Sequence, residues 1–193
     1  MLKIVGLLLA AGSASRFGSD KLLHRLPHAV PIAVQAARHL RQEIATMHAV
    51  VSARAGELAA LLQAEGCQVS VCPRAEEGMG ASLACAVRAA GAVDGYLIAL
   101  ADMPYVRPSS IAAVRDALLA GAALAAPYFH ARRGHPVGIA GRFRAELEAL
   151  GGDEGARRIV AAHEAELVKV PVGDPGVIRD IDRPGDLAPP SAV

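Results

Sequence analysis

The sequence predicts an α/β fold in which helices cover both faces of a mostly parallel sheet, and three features carry that expectation. Short apolar runs bounded by small residues recur along the chain, most clearly at residues 4–9 (IVGLLL) and 95–100 (GYLIAL). Both are continuous rather than alternating, as strands buried on two faces read. Between them strand-like and helix-like periodicities take turns, the pattern of βαβ units with right-handed crossovers. Each of the two runs also leads straight into a loop with candidate binding chemistry.

The first run enters Ala10, Ala11, Gly12, Ser13 and Ala14, a stretch with almost no side-chain bulk. Backbone N–H groups in such a loop can approach a ligand closely and form an anion-binding concavity. Arg16 and Lys21 add positive charge. The loop suits a polyphosphate, and an ordinary βα turn with two solvated cations fits the spacing equally well. It is not a Walker A loop, because Gly12 and Gly18 are too far apart and no Ser or Thr follows Lys21.

Residues 31–42 carry apolar positions at helical spacing (Ile32, Val34, Ala36, Ala37, Leu40) and open on a proline, which a first helical turn tolerates. Residues 49–52 continue as a strand, 56–64 as a second helix ending near Gly66, and 67–72 (CQVSVC) as an alternating strand before Pro73. Residues 74–87 (RAEEGMGASLACAV) form a loop that enters a helix at about Ala81, with Ser82 in its first turn. That helix start can hold an anion or be a plain capped end. A dinucleotide fingerprint is rejected there, since the third glycine is missing.

The strand at 95–100 runs into Ala101, Asp102, Met103 and Pro104. A carboxylate at the carboxyl end of a central strand lies where open α/β sheets place ligands, which makes Asp102 a candidate functional residue. The alternative is a turn Asp that caps the next helix. It is disfavoured because Ser109 and Ser110 already offer an N-cap for the helix through Leu119. Residues 124–128 read as a fifth strand, 130–139 (HARRGHPVGI) as a basic turn with a short strand, and 143–150 as a helix. The turn at 151–158 enters a helix to about Ala162, 167–170 is a short strand, and 177–187 (VIRDIDRPGDL) is a strand ending on acids and a proline turn. Only residues 188–193 read as disposable.

Composition narrows the function. With 193 residues, 53% of them apolar, the chain suits one well-filled core, so a single domain over residues 1–193 is expected. Its net charge of +1 gives no global field for nucleic acid or an anionic membrane, so any anion must be bound locally. Aromatic content of 3%, with no Trp, leaves few platforms on which nucleic-acid bases could stack. Cys67, Cys72 and Cys85 form neither a CxxC pair nor an even framework and read as buried thiols. The apolar start runs straight into the loop without a cleavage site, and no other run reaches the roughly 20 apolar residues that span a bilayer, so a cytoplasmic protein is expected.

Six pieces in one order, LLAAGSASRFGSDKLL, EEGMGASL, LADMP, RGHPVGI, GDEGARRIV and DIDRPGDL, resemble the nucleotidyltransferases of molybdenum cofactor maturation. The resemblance covers nearly the whole chain and points to the molybdenum cofactor cytidylyltransferase family within the MobA-like NTP transferase superfamily. Relatives that transfer GMP usually open with two glycines where this chain has Ala11 then Gly12, a difference that leans towards CTP. The resemblance implies a Rossmann-like three-layer α/β/α nucleotidyltransferase fold with a 3-2-1-4 core. It also implies a nucleotide-binding half at about residues 1–105 and an acceptor half at about 106–187. With strands 1 and 4 adjacent, the Gly12 loop and Asp102 face each other across the crevice.

The activity implied is transfer of CMP from CTP to the phosphate of Mo-molybdopterin, with Mg²⁺ or Mn²⁺ as cofactor and a molybdenum hydroxylase or its maturation chaperone as a further partner. By the same resemblance, Leu9, Ala10, Ala11, Gly12 and Ser13 line the nucleotide, and Arg16 and Lys21 hold its β- and γ-phosphates. Asp102 binds the metal, with Asp180 or Asp182, which share a strand face, as the second acidic ligand. Gly80 and Ser82 touch the nucleotide or the acceptor phosphate. Gly134, His135 and Pro136, with Gly152, Asp153, Gly155 and Arg157, form the pterin side. The chain departs from the family at HRLPHAVP, where relatives have a tighter Gly-containing turn, and at Gly80, where they often have another small residue. Guanylyl transfer, sugar-phosphate activation and a non-catalytic pterin carrier are the competing readings.

Overall fold

The first strand, β1 (Ile4–Ala10), is covered on both sides along almost its whole length. It belongs to a computed structural model that describes residues 2–12 and 21–188. β1 pairs in parallel with β2 (Met47–Ser52) and with β4 (Gly95–Leu100), so that Leu9 lies opposite Val50 on one side and Leu100 on the other. β3 (Gln68–Cys72) adds to β2, again in parallel, and the 3-2-1-4 order expected from the sequence is present. Beyond β4 the sheet becomes mixed. β7 (Val137–Ala140) runs antiparallel to β4 and to β5 (Leu124–Phe129), β6 (Arg132–Arg133) hairpins onto β5, and β8 (Leu167–Pro171) lies parallel to β5.

Side chains of β1 alternate between two cores. Leu8 and Ala10 pack beneath α1 (Ile32–Glu43), α2 (Gly56–Ala64) and α4 (Pro108–Leu119). Val5, Leu7 and Leu9 pack beneath α3 (Met79–Ala90), α5 (Arg144–Glu148) and α6 (Arg157–Ala162). A strand buried on both faces has no polar positions to alternate with, which is why its sequence is a continuous apolar run. Cys67 and Cys72 are buried thiols as expected, and Cys85 is partly exposed. No helix among the described residues is long and apolar enough to cross a membrane.

Two sequence expectations are corrected. Ser109 and Ser110 do not cap α4. Arg107 occupies the cap position with Pro108 opening the helix, and a distant carboxylate supplies the cap. Buried Asp174 accepts the Arg107 N–H and the Ser110 hydroxyl, both at 2.8 Å on Oδ2, while Oδ1 accepts the Gly176 N–H at 2.9 Å. A negative charge at the positive end of a helix is favourable, and Pro108 has no N–H of its own to satisfy.

The segment 177–187 is not a strand either. Short 3₁₀ turns at Pro175–Ile178 and Pro184–Leu187 flank extended residues 179–182, with Pro-Gly pairs opening both turns. Extended alternation persists locally all the same. Ile181 is fully buried, its N–H donates to the Asp102 carbonyl at 2.9 Å, and Asp180 and Asp182 face outward on either side of it.

Asp174 therefore clamps the C-terminal segment to the body of the fold. Asp174→Ala should lower the unfolding free energy by about 3 kcal/mol, because three donors lose a buried acceptor. Ser110→Ala, which removes one bond, should cost about 1 kcal/mol. Urea unfolding midpoints measured at unchanged m-value check both.

Candidate active site

Parallel pairing of β1 and β4 brings their carboxyl ends side by side, and the Ala101 N–H donates to the Leu9 carbonyl at 3.0 Å to lock the two exits together. Met103 N–H folds back onto the Leu100 carbonyl at 3.2 Å, which turns the chain sharply at Asp102. On the β1 side, buried Leu22 anchors a 3₁₀ turn, Lys21–Leu23, whose first residue reaches across the gap. Lys21 Nζ lies 2.9 Å from Asp102 Oδ2 and 3.2 Å from Asp182 Oδ1. Asp180 completes the group: one carboxylate oxygen from each of Asp102, Asp180 and Asp182 lies within 4.8 Å of the others. Ser13 and Arg16 fall outside the described residues.

Electrostatics match this crowding. Partial burial pushes the Asp180 carboxyl above its ordinary value, and the charges of Asp182 and Asp102 push it the same way against the pull of Lys21. Burial alone would lower the Lys21 pKa, but Asp102 and Asp182 outweigh it and raise the ammonium above its usual value. Lys21 is thus fully charged at neutral pH. Three hard carboxylate oxygens converging on one point form a donor set that fits Mg²⁺ or Mn²⁺.

A cleft of about 340 Å³ extends from this cluster. Leu9, Ala11, Gly12 and Lys21 line it together with Glu76, Gly78, Met79, Ser82 and Asp153. A second cavity, of about 140 Å³, shares Leu9, Met79 and Leu100 with the first and is lined on its far side by Arg133, Gly134, His135, Glu154 and Arg157.

The residues singled out from the sequence divide accordingly. Leu9, Ala11, Gly12, Lys21, Ser82 and Asp102 line the cleft, and Gly134, His135 and Arg157 line the second cavity. Asp153 belongs to the first cleft rather than the second. Asp180 and Asp182 stand in the acidic cluster beside the cleft, and Ala10, Gly80, Pro136, Gly152 and Gly155 line neither space. Ala10 turns its methyl into the core beneath α1, and Pro136 faces a small gap against Ala36, His39 and Met103. Gly80 seals the start of α3 to the loop at 151–153: its N–H donates to the Gly152 carbonyl at 2.7 Å, and a Cβ there would sit 2.5 Å from the Gly151 carbonyl oxygen. Ser82 is buried and its hydroxyl donates to the Gly78 carbonyl at 3.3 Å. Arg133 and Glu154 also line the second cavity, although the sequence pattern does not single them out. The adjacent arginines of the 130–139 turn were the available signal, but nothing local says which of them faces inward.

His135 is held at the back of the second cavity. Its N–H donates to the Val177 carbonyl at 2.8 Å, and Gly134 is glycine because a Cβ would meet that same oxygen at 2.2 Å. Burial drives the ring pKa below its ordinary value, with a bond to the Ile98 backbone and the Asp102 charge pulling back only in part. The ring is therefore neutral near pH 7, and its buried Nδ1 has no hydrogen-bond partner among the described residues.

The architecture is that of a nucleotidyltransferase. It is shared with Rv0371c from Mycobacterium tuberculosis H37Rv, which is 24% identical over 95% of each chain with a TM-score of 0.81 and has also been solved in complex with manganese. A nucleotidyl transferase from Methanothermobacter is 22% identical, with 95% of this chain and 94% of that one covered and a TM-score of 0.80. CMP:2-keto-3-deoxy-manno-octonic acid synthetase, complexed with CTP, is 13% identical over 96% of this chain and 95% of its own, with a TM-score of 0.72. At these identities the likeness speaks to fold alone. No curated protein matches the chain. Residues 6–167 match the MobA-like NTP transferase domain, and the chain belongs to that family.

A histidine whose folded pKa is depressed costs nothing above its unfolded value of about 6.5 and destabilises the fold as pH falls below it. His39 and His48 are shifted the same way by burial. Melting temperatures should therefore fall from pH 7 towards pH 5, and His135→Gln should remove part of that slope. A profile unchanged by the substitution would mean that the ring already titrates normally.

Proposed function

We propose that this protein transfers the CMP moiety of CTP to the terminal phosphate of Mo-molybdopterin, giving the cytosine dinucleotide form of the cofactor and pyrophosphate. The observation that carries the reading is the meeting of Lys21 with Asp102, Asp180 and Asp182 at the joined ends of β1 and β4, at one end of the cleft.

The chemistry asks for little beyond charge and position. An oxygen of the acceptor phosphate attacks the α-phosphorus of CTP, the bond from that phosphorus to the bridging oxygen breaks, and pyrophosphate leaves with the electron pair. A phosphate monoester is largely ionised at neutral pH, so no general base is needed. The barrier lies in bringing anions together while charge grows on the leaving group, which fixed cations in a preorganised site lower. Lys21 holds the β- and γ-phosphates, and Arg16 joins it. Asp102, Asp180 and Asp182 would hold Mg²⁺ or Mn²⁺, which supplies Lewis-acid neutralisation of the phosphoryl oxygens. The manganese in the Rv0371c structure supports a hard divalent ion.

The small residues Ala11 and Gly12 let the nucleotide approach the backbone, and the Ala11 methyl narrows the wall where guanylyl-transferring relatives have glycine, which favours a pyrimidine. The second cavity takes the pterin phosphate, with Arg133 and Arg157 as its cations and the shared wall of Leu9, Met79 and Leu100 placing it next to the α-phosphate. In this reading the chain is a single cytoplasmic domain. Its first half, to about residue 105, binds nucleotide, and residues 106–187 bind the acceptor and face a molybdenum hydroxylase or its chaperone.

Pyrophosphate release with Mo-molybdopterin, Mg²⁺ and each of CTP, GTP, ATP and UTP tests the proposal. CTP should be preferred, and Asp102→Asn should lose about 10³-fold in turnover while the fold is retained. A preference for GTP would refute the cytidylyl assignment, and full activity in Asp102→Asn would refute the catalytic one.

A further inference from the structure

Lys21 stands where a bound cation would be needed most. Its ammonium contacts Asp102 at 2.9 Å and Asp182 at 3.2 Å, and the Asp180 carboxylate closes the group. The Lys21 side chain is only 13% exposed, so this contact is shielded rather than loosened by solvent. A divalent ion binds carboxylate oxygens at about 2.0–2.6 Å. Placed on these same oxygens it would sit within a few ångströms of the Lys21 nitrogen, and the two positive charges would repel at close range.

From this geometry we infer that Lys21 is a built-in counter-ion that keeps the carboxylate site closed to a bare divalent cation, and that the free protein takes up metal and nucleoside triphosphate as one complex. The polyphosphate supplies what the ion alone lacks. Its anionic oxygens give the ammonium a second set of partners, Lys21 moves from carboxylate to phosphate, and the vacated oxygens become available to the metal. Lys21 thereby serves two partners in succession. Its motion stays within one cleft, because Lys21 and Gly12 both line it. This inference rests on the reading of Lys21 and the three aspartates as a metal–nucleotide site, and it adds an order of binding that the reading does not require.

The test is a titration with Mn²⁺, following the electron paramagnetic resonance signal of the free ion. It is performed with and without a non-hydrolysable CTP analogue on wild type, Lys21→Met and the double variant Lys21→Met/Asp102→Asn. Wild type should bind bare Mn²⁺ weakly and bind it at least about ten-fold more tightly with the analogue. Lys21→Met, which keeps the length and removes the charge, should bind bare Mn²⁺ about ten-fold more tightly than wild type, and the double variant should lose that gain. Wild type binding bare Mn²⁺ as tightly as Mn²⁺ with the analogue would overturn the inference without recourse to any variant. So would a Lys21→Met protein with no gain for bare Mn²⁺ while the analogue still tightens wild type, an outcome that leaves the metal–nucleotide reading standing. If no form binds Mn²⁺ under either condition, the reading of the site fails and the inference fails with it.

Discussion

Three carboxylates from two distant stretches of the chain are gathered into one small volume, and like charges in such proximity do not stay together without compensation. The Lys21 ammonium supplies most of it. The rest comes from backbone that leaves the acids no room to separate: the Ile181 N–H is bound to the Asp102 carbonyl, and buried Ile181 fixes the segment on which Asp180 and Asp182 sit. Asp174 holds the same segment from its other end, against the start of α4. Partial burial first, and the neighbouring charges of Asp182 and Asp102 after it, raise the pKa of Asp180. Carboxylates whose titration is shifted by burial and neighbouring charge cluster at functional sites.

The same segment links the two cavities. Val177, one turn before the aspartates, accepts the His135 N–H and leaves space only for glycine at position 134, so the wall of the second cavity and the acidic cluster are set by one piece of chain. Leu9, Met79 and Leu100 then form a shared apolar partition between the two spaces. A reaction between two anionic substrates needs each held separately and both facing one point, and a common wall between adjoining cavities provides for that.

The central sheet was legible in the sequence because strands buried on both faces read as uninterrupted apolar runs, as in β1 and β4. Asp102 was legible for a related reason, since a polar residue placed directly after such a run has few places to go except the carboxyl edge of the sheet. What the sequence concealed was long-range. The cap of α4 comes from Asp174, 64 residues beyond Ser110, and no local pattern announces such a partner. The acids at 180 and 182 alternate as a strand would, yet the Pro-Gly turns on either side leave them without strand neighbours. Gly80 read as a residue that lets a ligand come close, but what comes close to it is the carbonyl of Gly151. Small residues signal close approach without saying of what.

In the function proposed above, the cleft at the carboxyl ends of β1 and β4 binds a nucleoside triphosphate through a metal held by Asp102. Ligands that bind only the native state raise its stability, by about 2.7 kcal/mol when present at 100 times their dissociation constant. The most direct measurement is therefore the melting temperature with Mg²⁺, with CTP, and with both. The account predicts a rise with both that exceeds the sum of the separate effects and disappears in Asp102→Asn. A rise of equal size with CTP alone, or none with any nucleoside triphosphate, would contradict it.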